Sequence, residues 1–342
     1  MLHIIRIVLA GALLASCATQ LQTAPDAPKP AVTKVIFDTD FGGDADDLGA
    51  LAMLHYYMDR GDLNLLAVAS WSNETYAVPA LAAVNQFYGR PDMRLGVREV
   101  DLWRTEWNYS KSIADIFPYD QDAVDRTEPA VALYRDILSE AAPNSVTIIT
   151  VGPLANIQNL LRSEPDQVSD LTGAELVDAK VDRFIIMGGE FPSGITAHGP
   201  EWNFNGNMAG VTQEVLATIK RPIVFSGYEV GEALKYGEEL NQHPDETPLY
   251  VGYKYFSEHA PWMKDNYRGE ILDNSSFDQT AVMVAALGDN ETYWTFSEPG
   301  TLTTDEAGIA TWQSDPNGQH RYLILTDAID ATLTEIATAM TH

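Results

Sequence analysis

The sequence predicts an α/β protein with a single open, mostly parallel sheet, helices on both faces and a late antiparallel portion. Two observations carry this. From Lys34 onward, short apolar runs rich in Val and Ile alternate with segments of helical period, as expected of strands buried on both faces between helices. Between Tyr293 and Leu325 the pattern changes to aromatic and β-branched residues around the turn Asp315-Pro316-Asn317-Gly318, which suggests antiparallel strands. Residues 34–38 (Lys-Val-Ile-Phe-Asp) read as the first strand, and 46–59, opening on two acids that a helix dipole favours, as the first helix. Apolar runs at 63–70, 94–97, 146–151, 183–187, 222–226 and 322–326 supply further strands, and helical periodicity at 78–88, 130–141, 154–161, 208–219, 278–287 and 328–339 the helices between and after them.

With 45% hydrophobic and 20% charged residues in 342, the chain has the make-up of a globular protein with ample core. Disorder, a collagen-like rod and a disulfide-stapled miniprotein are excluded. Lys plus Arg number 21 against 49 Asp plus Glu, a formal charge of -28, so nucleic-acid backbones and anionic membrane surfaces would be repelled. A length above 300 permits two domains, but no repeat or linker divides the body, and residues 34–342 are expected to form one.

The N-terminus reads as an export signal. Arg6 precedes an apolar run from Ile7 to Ala15, far shorter than the ~20 residues of a membrane-spanning helix. The run ends Leu14-Ala15-Ser16-Cys17, which resembles the lipobox of bacterial lipoproteins, where the Cys thiol is acylated and becomes the new N-terminus. Residues 1–16 are then the signal peptide and 17–33 a lipidated tether containing Pro25, Pro28 and Pro30. The resemblance implies an exported lipoprotein held at the membrane only by this anchor. Ala18 rather than Asp after the Cys points to the outer membrane facing the periplasm. Cys17 is the only cysteine, so the remainder has no disulfide.

The densest chemistry follows the first strand: Asp38-Thr39-Asp40-Phe41-Gly42-Gly43-Asp44-Ala45-Asp46-Asp47, five carboxylates in ten residues. Open α/β sheets place ligands at the carboxyl ends of their strands. Two carboxylates about 5 Å apart repel by about 3 kcal/mol at an effective dielectric of about 20, so such a cluster calls for a cation or shared protons. Hard oxygen ligands favour calcium or magnesium over zinc. A solvated acidic loop with Asp46 and Asp47 at a helix start accounts for those two alone. An EF-hand is excluded, because no alignment supplies its ligands with Gly at position 6 and Glu at position 12.

The segment Asp-Thr-Asp-x-Gly-x-Asp-x-Asp-Asp resembles the N-terminal motif of the nucleoside hydrolase family of inosine-uridine type, calcium enzymes with a Rossmann-like sheet that cleave the N-glycosidic bond of ribonucleosides. The likeness extends along residues 34–290. Thr150-Val151-Gly152-Pro153-Leu154-Ala155-Asn156 is similar to the family's Thr-Gly-Pro-Leu-Thr-Asn segment, Ile185-Ile186-Met187-Gly188-Gly189 to its Met-Gly-Gly strand end, and Glu201-Trp202-Asn203-Phe204-Asn205 to its Glu-Phe-Asn ribose segment. Ser276-Phe277-Asp278 falls where the family often has His-Asp.

Carried over residue by residue, the resemblance implies calcium held by Asp40, Asp47, Asp278 and the main-chain carbonyl of Val151, with Asp40 also activating the water. It implies ribose contacts from Asp46, Asn203, Asp278 and Met187, and from Glu201 toward the 5'-hydroxyl, with Asp38 supporting the loop from behind. The loop is two residues longer than the simplest motif, which leaves Asp44 or Asp46 for the ribose position. The resemblance also implies a nucleoside or riboside as ligand and a homo-oligomer, commonly a dimer or tetramer.

Phe277 stands where many relatives have an imidazole to protonate the departing base. Of the seven His residues, His198, in the loop before Glu201, is the best placed to replace it. Trp71, Trp103, Trp107, Trp202, Tyr228 and Trp262 are candidates to stack on a base, while Glu229 reads either as a pocket acid or as a helix-start acid. Two other classes remain in view: a riboside-binding protein without turnover, supported by Phe277, and a haloacid-dehalogenase-type phosphatase with Asp38 as nucleophile. The second explains none of the later motifs.

Overall fold

In the computed structural model, residues 32–99, 105–242 and 247–342 are described. The signal peptide, Cys17, most of the tether and Trp103 lie outside them. Residues Val32–His342 form one compact unit, and among the described residues no helix is long and apolar enough to cross a membrane.

The strands are β1 Thr33–Thr39, β2 Leu63–Ser70, β3 Arg94–Val97, β4 Glu128–Pro129, β5 Val146–Thr150, β6 Val181–Met187, β7 Ile223–Ser226, β8 Lys235–Tyr236, β9 Asn274–Ser275, β10 Trp294–Phe296, β11 Gly300–Thr304, β12 Ala310–Ser314 and β13 His320–Leu325. Among the described residues eleven of these form one sheet in the order β12-β11-β13-β7-β6-β5-β1-β2-β3-β4, with β10 also paired to β13, while β8 and β9 make a separate ribbon. Every pairing from β13 through β4 is parallel. This is the predicted open, mostly parallel α/β sheet.

Alternation along the central strands explains why they read as unbroken apolar runs. Val35, Phe37, Ile149 and Ile185 point into one core, and Ile36, Ile148, Phe184 and Ile186 into the other. Both faces are covered, so both sets are apolar.

The late portion is antiparallel as expected, through β11 with β12 and β10 with β13, but its turn is elsewhere. The β11–β12 hairpin closes at Asp305–Ile309. The Asp315–Gly318 turn instead carries the chain past β11, which lies between β12 and β13. Gly318 sits so close to Gly300 that a Cβ there would lie 2.1 Å from the Gly300 carbonyl oxygen. The sequence reading also omitted helices at Ser110–Ile116, Gly173–Lys180 and Pro248–His259.

Candidate active site

Chain order runs β1, β2, β3, β4 toward one edge and β1, β5, β6, β7 toward the other. The sheet therefore reverses direction between β1 and β5, and ligands in open α/β sheets bind outside the carboxyl ends of strands at such a switch point. The Val151 amide donates to the Asp38 carbonyl at 2.8 Å across this gap. Gly152 lets the two strand ends approach, since a Cβ there would lie 2.8 Å from the Asp40 amide nitrogen. Beyond Asp40 the loop turns through Gly42, at φ +102, into the helix Asp46–Arg60. A positive φ of this kind favours glycine.

The second acidic element arrives from the far end of the chain. Helix Phe277–Leu287 packs on helix Asp46–Arg60, where Gly49 leaves room for the Gln279 amide, 2.5 Å from where a Cβ would be. This brings Asp278 beside Asp46 and Asp47, with side-chain oxygens of all three within 4.8 Å of one another. The Asp46 carboxylate accepts from the Asp47 and Asp278 amides, and Thr39 donates its hydroxyl to Asp47. Asp40, Asp46, Asp47 and Asp278 expose no more than 6% of their surface. Burial, then repulsion from neighbouring carboxylates, pushes Asp46 and Asp278 well above the usual carboxylate range, and burial with the nearby Asp40 does the same to Asp47. Burial raises Asp40 to about 7.

This donor set fits a hard divalent cation. It is made of carboxylate oxygens, taken out of water and crowded together, which is the arrangement that a bound cation relieves. Asp40 lines the same pocket but lies outside the tightest group, which contains Asp46 instead. Asp44 also lines the pocket and is held by the Asn274 amide at 2.6 Å. The Val151 carbonyl accepts from the Asn203 amide at 3.0 Å.

The facing wall is built on the short helix Trp202–Asn205. Asn203 donates to the Met187 carbonyl and sulfur as well as to Val151. The Glu201 carboxylate caps the helix, accepting from the Asn203, Phe204 and Gly189 amides, and burial lifts it to about 7. Met187, Val151, Glu201 and Asn203 all line one cavity of about 540 Å³ together with the acids, so the sequence-predicted residues from five separate segments meet there.

Two aromatic pairs line this cavity. Trp107 meets Trp262 edge to face at 5.4 Å, and Tyr228 stacks on Phe277 at 5.0 Å. His198 lines the cavity from an exposed loop. That loop is tied back by the Ala310 amide to the Gly194 carbonyl at 3.0 Å and by the Thr196–Gly199 bridge. Trp71 is buried behind Trp202 and is not on the lining. Glu229 is a helix-start acid that accepts from the Phe191 amide at 2.9 Å; it too is absent from the lining.

The sequence reading missed the support for Asp38. Tyr134 donates to its carboxylate at 2.6 Å and Asn156 at 2.8 Å. Asn156 closes the Thr150–Asn156 motif, so its presence was visible and only its partner was not. Asn274, which holds Asp44, carried no sequence signal.

Comparison with known proteins agrees with this geometry. The fold is similar to that of a plant nucleoside hydrolase (16% identity, covering 91% of this chain and 99% of that chain, TM-score 0.68). It is similar also to a purine-preferring ribonucleoside hydrolase from Gardnerella vaginalis (17%, 90% and 98%, TM-score 0.67), and to a type III effector protein, XopQ, whose structure was solved with adenosine diphosphate ribose (14%, 91% and 93%, TM-score 0.60). No curated protein matches the sequence. Residues 35–314 match the family model of the inosine-uridine preferring nucleoside hydrolases, and the chain belongs to that family of hydrolases acting on N-glycosyl compounds.

Proposed function

We propose that this protein hydrolyses the N-glycosidic bond of ribonucleosides with a bound calcium ion, Asp40 serving as the base that activates water. The observation that carries this is the meeting of Asp40, Asp46, Asp47 and Asp278 with Glu201 and Asn203 around one cavity at the switch point of the sheet. Asp40, Asp47 and Asp278, with the Val151 carbonyl, would hold the ion, and Asp46 stands close enough to share it. When bound, calcium lowers the pKa of a water and orients it.

The remaining chemistry belongs to the chain. Cleavage through an oxocarbenium-like transition state places positive charge on the ribose ring, and the surrounding carboxylates stabilise it as it develops. Asp46 and Asn203 orient the ribose hydroxyls, and Glu201 fixes the wall that faces the 5'-hydroxyl. Asp40 takes a proton from the attacking water. We propose further that the enzyme acts as an exported lipoprotein anchored through Cys17, a reading that rests on the sequence.

A reducing-sugar assay of the full chain with a nucleoside panel, with and without chelator, tests the activity. Chelator-sensitive ribose release that Asp40→Asn abolishes is the expected result. Binding without release would instead favour a riboside-binding protein.

A further inference from the structure

We propose that the preferred substrates of this site are ribosides whose aglycone is already cationic, an N-ribosylated pyridinium or similarly quaternised heteroaromatic ring; this rests on the hydrolase reading above. A neutral base leaves well only when a proton reaches it, and among the described residues of the cavity lining the only imidazole is that of His198. Phe277 is a hydrocarbon there. The Tyr228 hydroxyl is turned toward Glu232 at 3.5 Å. The Trp107 N–H is donated to the Gly43 carbonyl at 2.9 Å and the Trp202 N–H to Asp40 at 2.9 Å. Glu201 accepts from three backbone amides, and His198 stands on the exposed rim.

With the Tyr228 hydroxyl and the Trp107 N–H engaged elsewhere, the two aromatic pairs offer ring faces and edges, and aromatic rings recognise quaternary nitrogen cations through the ring quadrupole. Six carboxylate residues lie on the same cavity against the two charges of a bound calcium ion, and no Lys or Arg does among its described residues. The field therefore favours a cation and opposes a phosphate.

Cleavage of such a riboside balances without an acid. Water oxygen bonds to C1' and gives one proton to Asp40, while the C1'–N bond breaks with its electron pair going to the ring nitrogen. That pair cancels the positive charge, and a neutral heteroarene leaves beside free ribose. Asp40 then releases its proton to solvent.

The test compares three substrates on the calcium-loaded full chain: the riboside of 3-carbamoylpyridinium, inosine and 4-nitrophenyl riboside. The nitrophenyl compound separates charge from leaving-group quality, because it is activated but neutral. The pyridinium riboside should be cleaved at least 100-fold more efficiently than inosine and show a KM at least tenfold below that of the nitrophenyl riboside. Trp262→Leu should narrow the ratio of those two KM values by about tenfold. N-methylated 3-carbamoylpyridinium should inhibit wild-type protein at least tenfold better than its neutral parent, a measurement that needs no variant to fold. Equal inhibition by cation and parent, or a pyridinium KM no lower than the nitrophenyl one, overturns the proposal while leaving the hydrolase reading intact. Loss of ribose release from all three substrates removes that reading as well.

Discussion

The indole N–H of Trp202 donates to the Asp40 carboxylate at 2.9 Å, across 162 residues of chain. It joins the wall that carries Asn203 to the end of β1, and it engages one oxygen of the proposed base. A charged hydrogen bond of this kind fixes the carboxylate's rotation and is worth about 1.5–3 kcal/mol. Trp202→Phe keeps the ring and removes the donor. The expected result is a fall in kcat of roughly tenfold with KM changed much less. A KM change equal to the kcat change would assign Trp202 to substrate binding instead.

Metal removal should be felt in stability, and the sign follows from the raised carboxyls. Burial pushes Asp38 and Asp40 to about 7 and Asp44 to about 6, from an ordinary value of 3.8. In the metal-free protein these groups favour folding when protonated. Their contribution is fully present below about pH 4 and is lost as pH rises through 6 to 7. A bound cation favours the ionised forms and reverses that loss. The Tm gain on adding calcium should therefore grow from pH 5.5 to pH 8, and Asp47→Ala should abolish it. A gain of the same size at both values would contradict this.

Much of the fold was legible because the central strands are covered on both faces, which leaves unbroken apolar runs such as Val35-Ile36-Phe37. Helix Pro248–His259 was not legible, since it opens on Pro248 and is rich in Tyr around Gly252; that glycine lies where a Cβ would meet Leu48 at 2.3 Å. Tertiary packing rather than propensity sets that helix. The acids could be picked out because their density is improbable without a ligand. The bond between Trp202 and Asp40 could not, as nothing in a local pattern records which distant donor reaches a buried carboxylate.

The Asn156 and Tyr134 bonds to Asp38 make a second structural prediction. Both donors are buried, and Asn156 also donates to the Ser70 carbonyl at 3.3 Å. Removing one leaves a buried carboxylate under-satisfied beneath the active-site loop, at a cost of about 1–3 kcal/mol. Tyr134→Phe should lower chemical-denaturation stability by that amount and reduce kcat only modestly. A variant as stable as wild type would show that the bond carries no net energy.

For localisation, Cys17→Ser should move the protein from the membrane fraction to the soluble periplasmic fraction while specific activity is kept. The reasoning is that the only proposed anchor is the thiol itself. Continued extraction by detergent alone would refute the lipid anchor.

Phe277 is held in place by two neighbours. Gly231 packs against it so closely that a Cβ there would lie 2.3 Å from its ring, and Tyr228 stacks on it, so a replacement side chain at 277 is held at the wall of the cavity. Phe277→His is small enough to fit this slot and supplies a proton donor with an ordinary pKa near 6.5. General acid assistance is worth roughly 100- to 10,000-fold when well placed, so even an imperfect geometry should raise inosine turnover at least tenfold. The gain should fade above about pH 7, where the imidazole loses its proton. A nitrophenyl riboside, which needs no proton to depart, should gain nothing. If inosine turnover is unchanged, or if both substrates improve together, the leaving group is not what limits this enzyme.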